Sequence, residues 1–306
     1  MSDSHIKKIL HPDRQELKEK LGSIVPPKVQ ILLEGMDDLD FFEHNLQSDI
    51  PNFRFIPATL ENSTNFDNKS YVISAVEADP TMFGIVDMDY DFESEQVSST
   101  ENLIDTGECC CLLSWVMKDQ GKGLIEVAEK FVKFLFKDYG QTSQINAYIR
   151  TKSEQFEGFV NESTKIRLFR GHYGSSSPRL TARLATSELE EIELKERGDL
   201  NPATQHLLDR LIPKGKIRKE FEKYKSDKEA ELEMTGPNDH DFTRAVFLLI
   251  RSIPEVEGKS LSQINKCFCR FQSRKLGNRE ENQNSAKELF KKSDSFLEKL
   301  PISYQT

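Results

Sequence analysis

Two short acidic runs carry the chemistry that this sequence can do. Glu34-Gly35-Met36-Asp37-Asp38 follows the apolar run 29–33, and Asp87-Met88-Asp89 follows a second one at 82–86. Successive side chains of an extended chain point to opposite faces, so Asp87 and Asp89 share a face and can present two carboxylates to one cation. Carboxylate oxygens that leave positions for water and phosphate suit Mg²⁺ or Mn²⁺ better than zinc. A cation held this way stabilises charge during phosphodiester cleavage, while Glu34 moves a proton or holds a second ion. Each run alone also has a plain structural reading, with Asp37 or Asp38 capping a helix and Asp87 and Asp89 opening a loop. Their order, each after an apolar run, favours the chemical one.

The elements that must position these acids are legible around them. Val29-Gln30-Ile31-Leu32-Leu33 and Met82-Phe83-Gly84-Ile85-Val86 have the near-continuous apolarity of buried parallel strands. Residues 53–56 predict another strand and 38–46 a helix, whereas 71–76 fits a helix or a strand equally well. The alternation predicts an α/β fold with a mostly parallel sheet, whose ligands lie at the carboxyl ends of the strands. From Cys109 onward the pattern turns helical, with Val127, Phe131, Phe134 and Leu135 near helical spacing and Phe242, Val246, Phe247 and Ile250 on the inner face of a helix over 239–253. Small residues over 171–178 predict a loop, and the mixed charge over 188–233 predicts a pair of solvated helices.

The 306 residues bound the chain to one large domain or two modest ones. No stretch approaches the roughly 20 apolar residues of a membrane span, and the opening residues have no apolar signal core, so a cytoplasmic protein with no membrane partner is expected. Cys109, Cys110 and Cys111 are a poor disulfide framework and read as buried thiols. The net charge of −9 hides an asymmetry. Residues 31–108 hold eighteen acids against two bases, Arg54 and Lys69, a balance of −16 that leaves +7 for the rest. An acidic first part and a basic remainder fit a metal site facing a polyanion.

Leu32-Leu33-Glu34-Gly35-Met36-Asp37-Asp38, followed some fifty residues later by Gly84-Ile85-Val86-Asp87-Met88-Asp89, resembles the Toprim pattern: a glutamate and a DxD pair on a small Rossmann-like sheet. Asp105-Thr106-Gly107-Glu108-Cys109-Cys110-Cys111-Leu112-Leu113 resembles a TD-x-x-D-L-E-x-x-L element of stand-alone Toprim nucleases of the overcoming-lysogenisation-defect type, and Asn238-Asp239-His240-Asp241-Phe242 resembles their later N-G-H-D-L/F element. Glu108 and Cys110 stand where that family has Asp and Glu, and Asp239 where it has Gly. The family includes the Toprim effector of PARIS anti-phage systems, whose other subunit is a separate ABC-type ATPase. Residues 1–28, polar and closing with Pro26-Pro27, read as a leader; the resemblance implies a Toprim core over 29–118, and the helical, basic region over 119–306 has room for insertions completing that fold. It implies Glu34 as the catalytic glutamate, Asp87 and Asp89 as metal ligands, Asp38, Glu108 and Asp91 as supporting ligands, and a motif role for His240 and Asp241. The implied activity is Mg²⁺- or Mn²⁺-dependent cleavage of nucleic acid, with tRNA favoured, by an effector held in check by the ATPase and acting as a homodimer when active.

Arg167, Arg170, His172 and Arg179 mix cations with aromatics around the expected loop and read as a nucleic-acid contact, competing with an ordinary solvated turn. The segment 259–299, with ten bases and five acids, is a second basic surface. No G-x-x-x-x-G-K-[ST] occurs, because Gly258-Lys259-Ser260 lacks the upstream glycine, so an ATPase is disfavoured. A DxD phosphatase would leave Glu34 without a task. A non-catalytic Toprim-fold binding subunit is the other alternative.

Overall fold

The computed structural model describes residues 29–46, 50, 52–61, 67–88, 100–107, 109–137, 142–174, 200–212, 214–229, 232, 236–251 and 260–299. The expected leader 1–28 lies outside them. Four strands, β1 (Val29–Leu33), β2 (Phe53–Pro57), β3 (Phe83–Val86) and β4 (Leu103–Asp105), form one sheet in the order β2-β1-β3-β4. Every pairing is parallel, with Ile31 opposite both Phe55 and Phe83, and Ile85 opposite Ile104. The protein is therefore α/β with a Rossmann-like core, as the alternating pattern predicts.

Alternation along the strands sorts their side chains into two cores. Ile31, Leu33, Phe53, Phe55, Phe83, Ile85 and Ile104 enter the larger one, and Leu32, Ile56 and Val86 the smaller one on the opposite face. The smaller face is covered by α2 (Ala58–Glu61) and α3 (Asn68–Ala78), whose Val72 and Val76 are buried there. Residues 71–76 are thus helical, and Asp67 caps the helix by accepting from the Ser70 N–H. Gly84 makes the close packing possible. A Cβ at this position would lie 2.7 Å from Val72 and 2.9 Å from Val76, so any side chain would push α3 off the sheet.

The larger face is covered by α1 (Met36–Leu46) and by the last helices of the chain, α11 (Leu261–Arg274), α12 (Arg279–Phe290) and α13 (Asp294–Leu297). Phe296 of α13 meets Phe83 edge-on at 4.8 Å and Phe290 at 4.6 Å between ring centres. The middle of the chain supplies α4 (Leu112–Asp119), α5 (Leu124–Leu135), α6 (Thr142–Thr151), α7 (Ser153–Gly174), α8 (Asn201–Leu211), α9 (Lys216–Asp227) and α10 (Asp239–Arg251). Phe131, Phe242, Phe268 and Phe271 bring α5, α10 and α11 together in the same contiguous core, so the helical region shares its interior with the sheet. Among the described residues no helix is long and apolar enough to cross a membrane.

Two expectations need correction. The loop predicted over 171–178 is helical in its described part, because α7 continues through Gly174, its buried Ile166, Leu168 and Phe169 anchoring the last turns, and 175–178 lie outside the described residues. The helices read within 188–233 do not lie fully in solvent. Ala203, Leu207 and Leu211 of α8 and Phe221 of α9 are buried, since helices dense in charge can still turn one apolar stripe inward. Residues 188–199 lie outside the described residues.

Candidate active site

The chain leaves β1 toward β2 on one side and returns to β3 on the other, so the strand order reverses between β1 and β3. In such sheets a crevice opens at the carboxyl ends of these two strands. Glu34 directly follows β1 and Asp87 directly follows β3. The Asp87 N–H donates to Oε1 of Glu34 at 2.7 Å, joining the two motifs across 53 residues of sequence. Oδ1 of Asp87 in turn accepts from the N–H of Leu112, the first residue of α4, at 2.9 Å. A carboxylate at a helix N-terminus satisfies a donor that the helix cannot, and the helix dipole favours its charge.

The peptide that carries Asp87 is held from several sides. Nζ of Lys69, on the first turn of α3, donates to the carbonyl of Asp87 and, at 3.1 Å, to that of Met88. The Met88 N–H donates at 2.9 Å to the hydroxyl of Thr106, just past β4, and this hydroxyl donates to the Cys109 carbonyl at 2.7 Å. Thr106 is fully buried, and its own N–H donates to the Val86 carbonyl at 3.2 Å. Cys109, Cys110 and Cys111 are buried as read. Cys110 and Cys111 pack against Ser114 and the Gly236-Pro237 carbonyls, and burial and the neighbouring Cys110 push the Cys111 thiol far up.

On the other side of Glu34, the Gly35 N–H donates to Oδ2 of Asp38 at 3.1 Å. A Cβ on Gly35 would stand 2.5 Å from Oδ1 of Asp37, so glycine lets the first turn of α1 fold its carboxylates back over the strand end. Burial, then the charges of Asp37 and Glu34, hold the Asp38 carboxyl well above the ordinary carboxylate range, against the pull of the Gly35 N–H. Burial and Asp239 raise Asp37, opposed by its own backbone N–H and by His240. The start of α10 therefore reaches the same end of the sheet. Its half-buried Asp239 and exposed His240 are tied by the His240 N–H, which donates to Asn238 Oδ1 at 3.0 Å and Asp239 Oδ1 at 2.7 Å. Met36, 47 % exposed, lies on this rim as the exposed large apolar side chain among the described residues.

Glu34, Asp38 and Asp87 are thus brought together, with Asp37 and Asp239 beside them. Asp89, Asp91, Glu108 and Arg179 lie outside the described residues, as does the side chain of His172, whose backbone belongs to the last turn of α7. Asp241 points elsewhere. It is 2 % exposed and pairs with Arg167 Nε at 2.6 Å and Arg244 at 3.1 Å, clamping α10 to α7. Arg167 therefore sits on a helix and not on a loop, half-buried in an ion pair, and Arg170 is half-buried one turn further on. Sequence reasoning missed Lys69 and Thr106 as supports of Asp87. A signal for Lys69 was present, since it is one of two bases in the acidic segment.

No family model, curated protein or solved structure matches this chain. Among the described residues no three His, Cys, Asp or Glu side chains are grouped to hold one metal ion. The donors that do meet are all carboxylate oxygens, and the upward shifts of Asp37 and Asp38 record negative charge crowded into a poorly solvated place. Carboxylate oxygens are the donor type that a hard divalent cation takes, and Glu34 and Asp87 are the residues here that could offer them.

Proposed function

We propose that the protein is a metal-dependent Toprim-type nuclease that cleaves nucleic acid, with tRNA the favoured substrate. The observation that carries this reading is the 2.7 Å bond from the Asp87 N–H to Glu34, which joins the two acidic motifs at the switch point of a parallel sheet. Mg²⁺ or Mn²⁺ held by Glu34 and Asp87, with Asp89 as the further ligand implied by the resemblance, supplies charge stabilisation at a phosphate oxygen when bound. The bond from Asp87 fixes the Glu34 carboxylate, which moves the proton of the attacking water or of the leaving oxygen. Lys69 and Thr106 hold the Asp87-Met88 peptide, so Asp87 keeps its place when a phosphate arrives. Met36 gives a base or sugar an apolar contact at the rim.

The family resemblance adds control by a separate ABC-type ATPase chain within an anti-phage system, and a homodimer as the active assembly. The test incubates the purified protein with tRNA, other RNA and DNA. Cleavage in Mg²⁺ or Mn²⁺ that disappears in EDTA and in Glu34→Gln is the expected result. Cleavage that persists in EDTA, or in Glu34→Gln, overturns the reading.

A further inference from the structure

The basic half of the molecule has a focus that the acidic edge does not use. Where α11 ends and α12 begins, a cleft of about 350 Å³ is lined by Lys130, Arg274, Lys275, Leu276, Gly277, Asn278 and Glu281. Three cations from two separate parts of the chain face it. Its one acid is occupied, since Glu281 pairs with Lys122 at 2.7 Å and accepts from the Asn278 N–H in a capping box. Lys130 keeps a partner, Glu126, one turn back along α5. Among the described residues no carboxylate forms an ion pair with Arg274 or Lys275. The field is positive beyond the lining: burial and then Arg274, Arg279 and Lys275 lower the proton affinity of His44, at the end of α1, against the opposing charge of Asp40.

We infer that this cleft binds a backbone phosphate of the nucleic acid whose cleavage is proposed above, so the inference rests on that reading. The dipole of α11 favours Arg274 and Lys275 at its C-terminus, and Glu126 pairs with Lys130 on α5, but among the described residues no carboxylate forms an ion pair with the two end cations, which leaves their charge for an anion. α1 links the two places: Asp37 and Asp38 stand at its start, and His44, whose proton affinity burial and then Arg274 and Lys275 lower, stands near its end.

The experiment measures binding apart from cleavage. A fluorescent single-stranded oligonucleotide is titrated in EDTA with wild type, Glu34→Gln, Arg274→Gln/Lys275→Gln and, on a different helix, Lys130→Gln. Thermal melts confirm that each variant is folded. Expected are about tenfold weaker binding by the double variant at about 50 mM salt, a salt slope reduced by about 1.4, and a smaller loss in Lys130→Gln. Wild-type affinity and salt slope in both cleft variants overturn the site, as does weaker binding with an unchanged slope. Cleavage by Glu34→Gln in a parallel assay defeats the nuclease reading instead and leaves this binding result standing on its own.

Discussion

Asp241 and Asp38 are both carboxylates drawn into the protein near the start of a helix, and their surroundings are opposite. Asp241 lies between two arginines, Arg167 at 2.6 Å and Arg244 at 3.1 Å. Its charge is matched, and the pair holds two helices together. Asp38 lies against Asp37 and Glu34 with only the Gly35 N–H to offset them, and its proton is held well above the ordinary range. A fold gains nothing by packing like charges at a strand end, and such arrangements collect where a site needs charge for another partner. Burial of an acid is therefore uninformative until its neighbours are counted: cations mark a structural clamp, and further acids mark a place prepared for something positive.

The largest effect should come from Glu34. Glu34→Gln keeps an acceptor for the Asp87 N–H and removes the charge, so the fold should stand while cleavage falls by about 10³-fold or more. A single-turnover assay beside a melting curve checks both halves. Asp241→Asn should do the reverse. It removes the buried charge that Arg167 and Arg244 share and should cost about 3 kcal/mol in a denaturant titration, with cleavage by the folded fraction unchanged. If it abolished cleavage in folded protein, the contrast between clamp and site would collapse. Thr106→Val tests the support of Asp87. It removes the acceptor of the Met88 N–H, should cost about 1–2 kcal/mol, and should lower the cleavage rate as well, which a purely structural threonine would not do.

The smallest effect belongs to Asp38, and its sign is diagnostic. The folded chain binds this proton more tightly than the unfolded chain does. Between the ordinary value of 3.8 and the raised folded value, stability therefore falls as pH rises. Asp38→Asn removes that loss, so at neutral pH it should raise the Tm by about 1–2 °C, the shift expected from about 1 kcal/mol in a chain of 306 residues. At a pH below 3.8 the gain should vanish. A variant that melts lower than wild type at pH 7, measured without divalent cations, would mean that Asp38 is matched like Asp241.

Much of this contrast was legible in the sequence on one side only. The apolar runs before Glu34 and Asp87 predicted two buried strands, and both formed next to each other, because hydrophobic period and local spacing carry that information. β4 was not foreseen, since the three residues Leu103–Asp105 are too few to show a period. The clamp on Asp241 was not legible either. Arg167 lies 74 residues before it, and nothing in the run around Arg167 distinguishes a helix bound to Asp241 from a basic loop. The approach of Asp239 and His240 to Asp37 has the same cause, because helix packing brings together positions that share no local pattern. Lys69 is the intermediate case. Its isolation among acids was visible, but its direction came only with α3.

The closing of the sheet by α13 sets a schedule for making the protein. Phe296 rests on Phe83 and Phe53, and the hydroxyls of Ser293 and Ser295 donate to the Glu101 carbonyl just before β4, so the last helix finishes a core begun by the first strand. The strands are complete once Asp105 has been synthesised, yet the part of their larger face that α13 covers waits until Leu297 follows it. At roughly 5–20 residues per second that interval is about 10–40 s on the ribosome. Throughout it Phe53 and Phe83 lack the cover that Phe296 gives them.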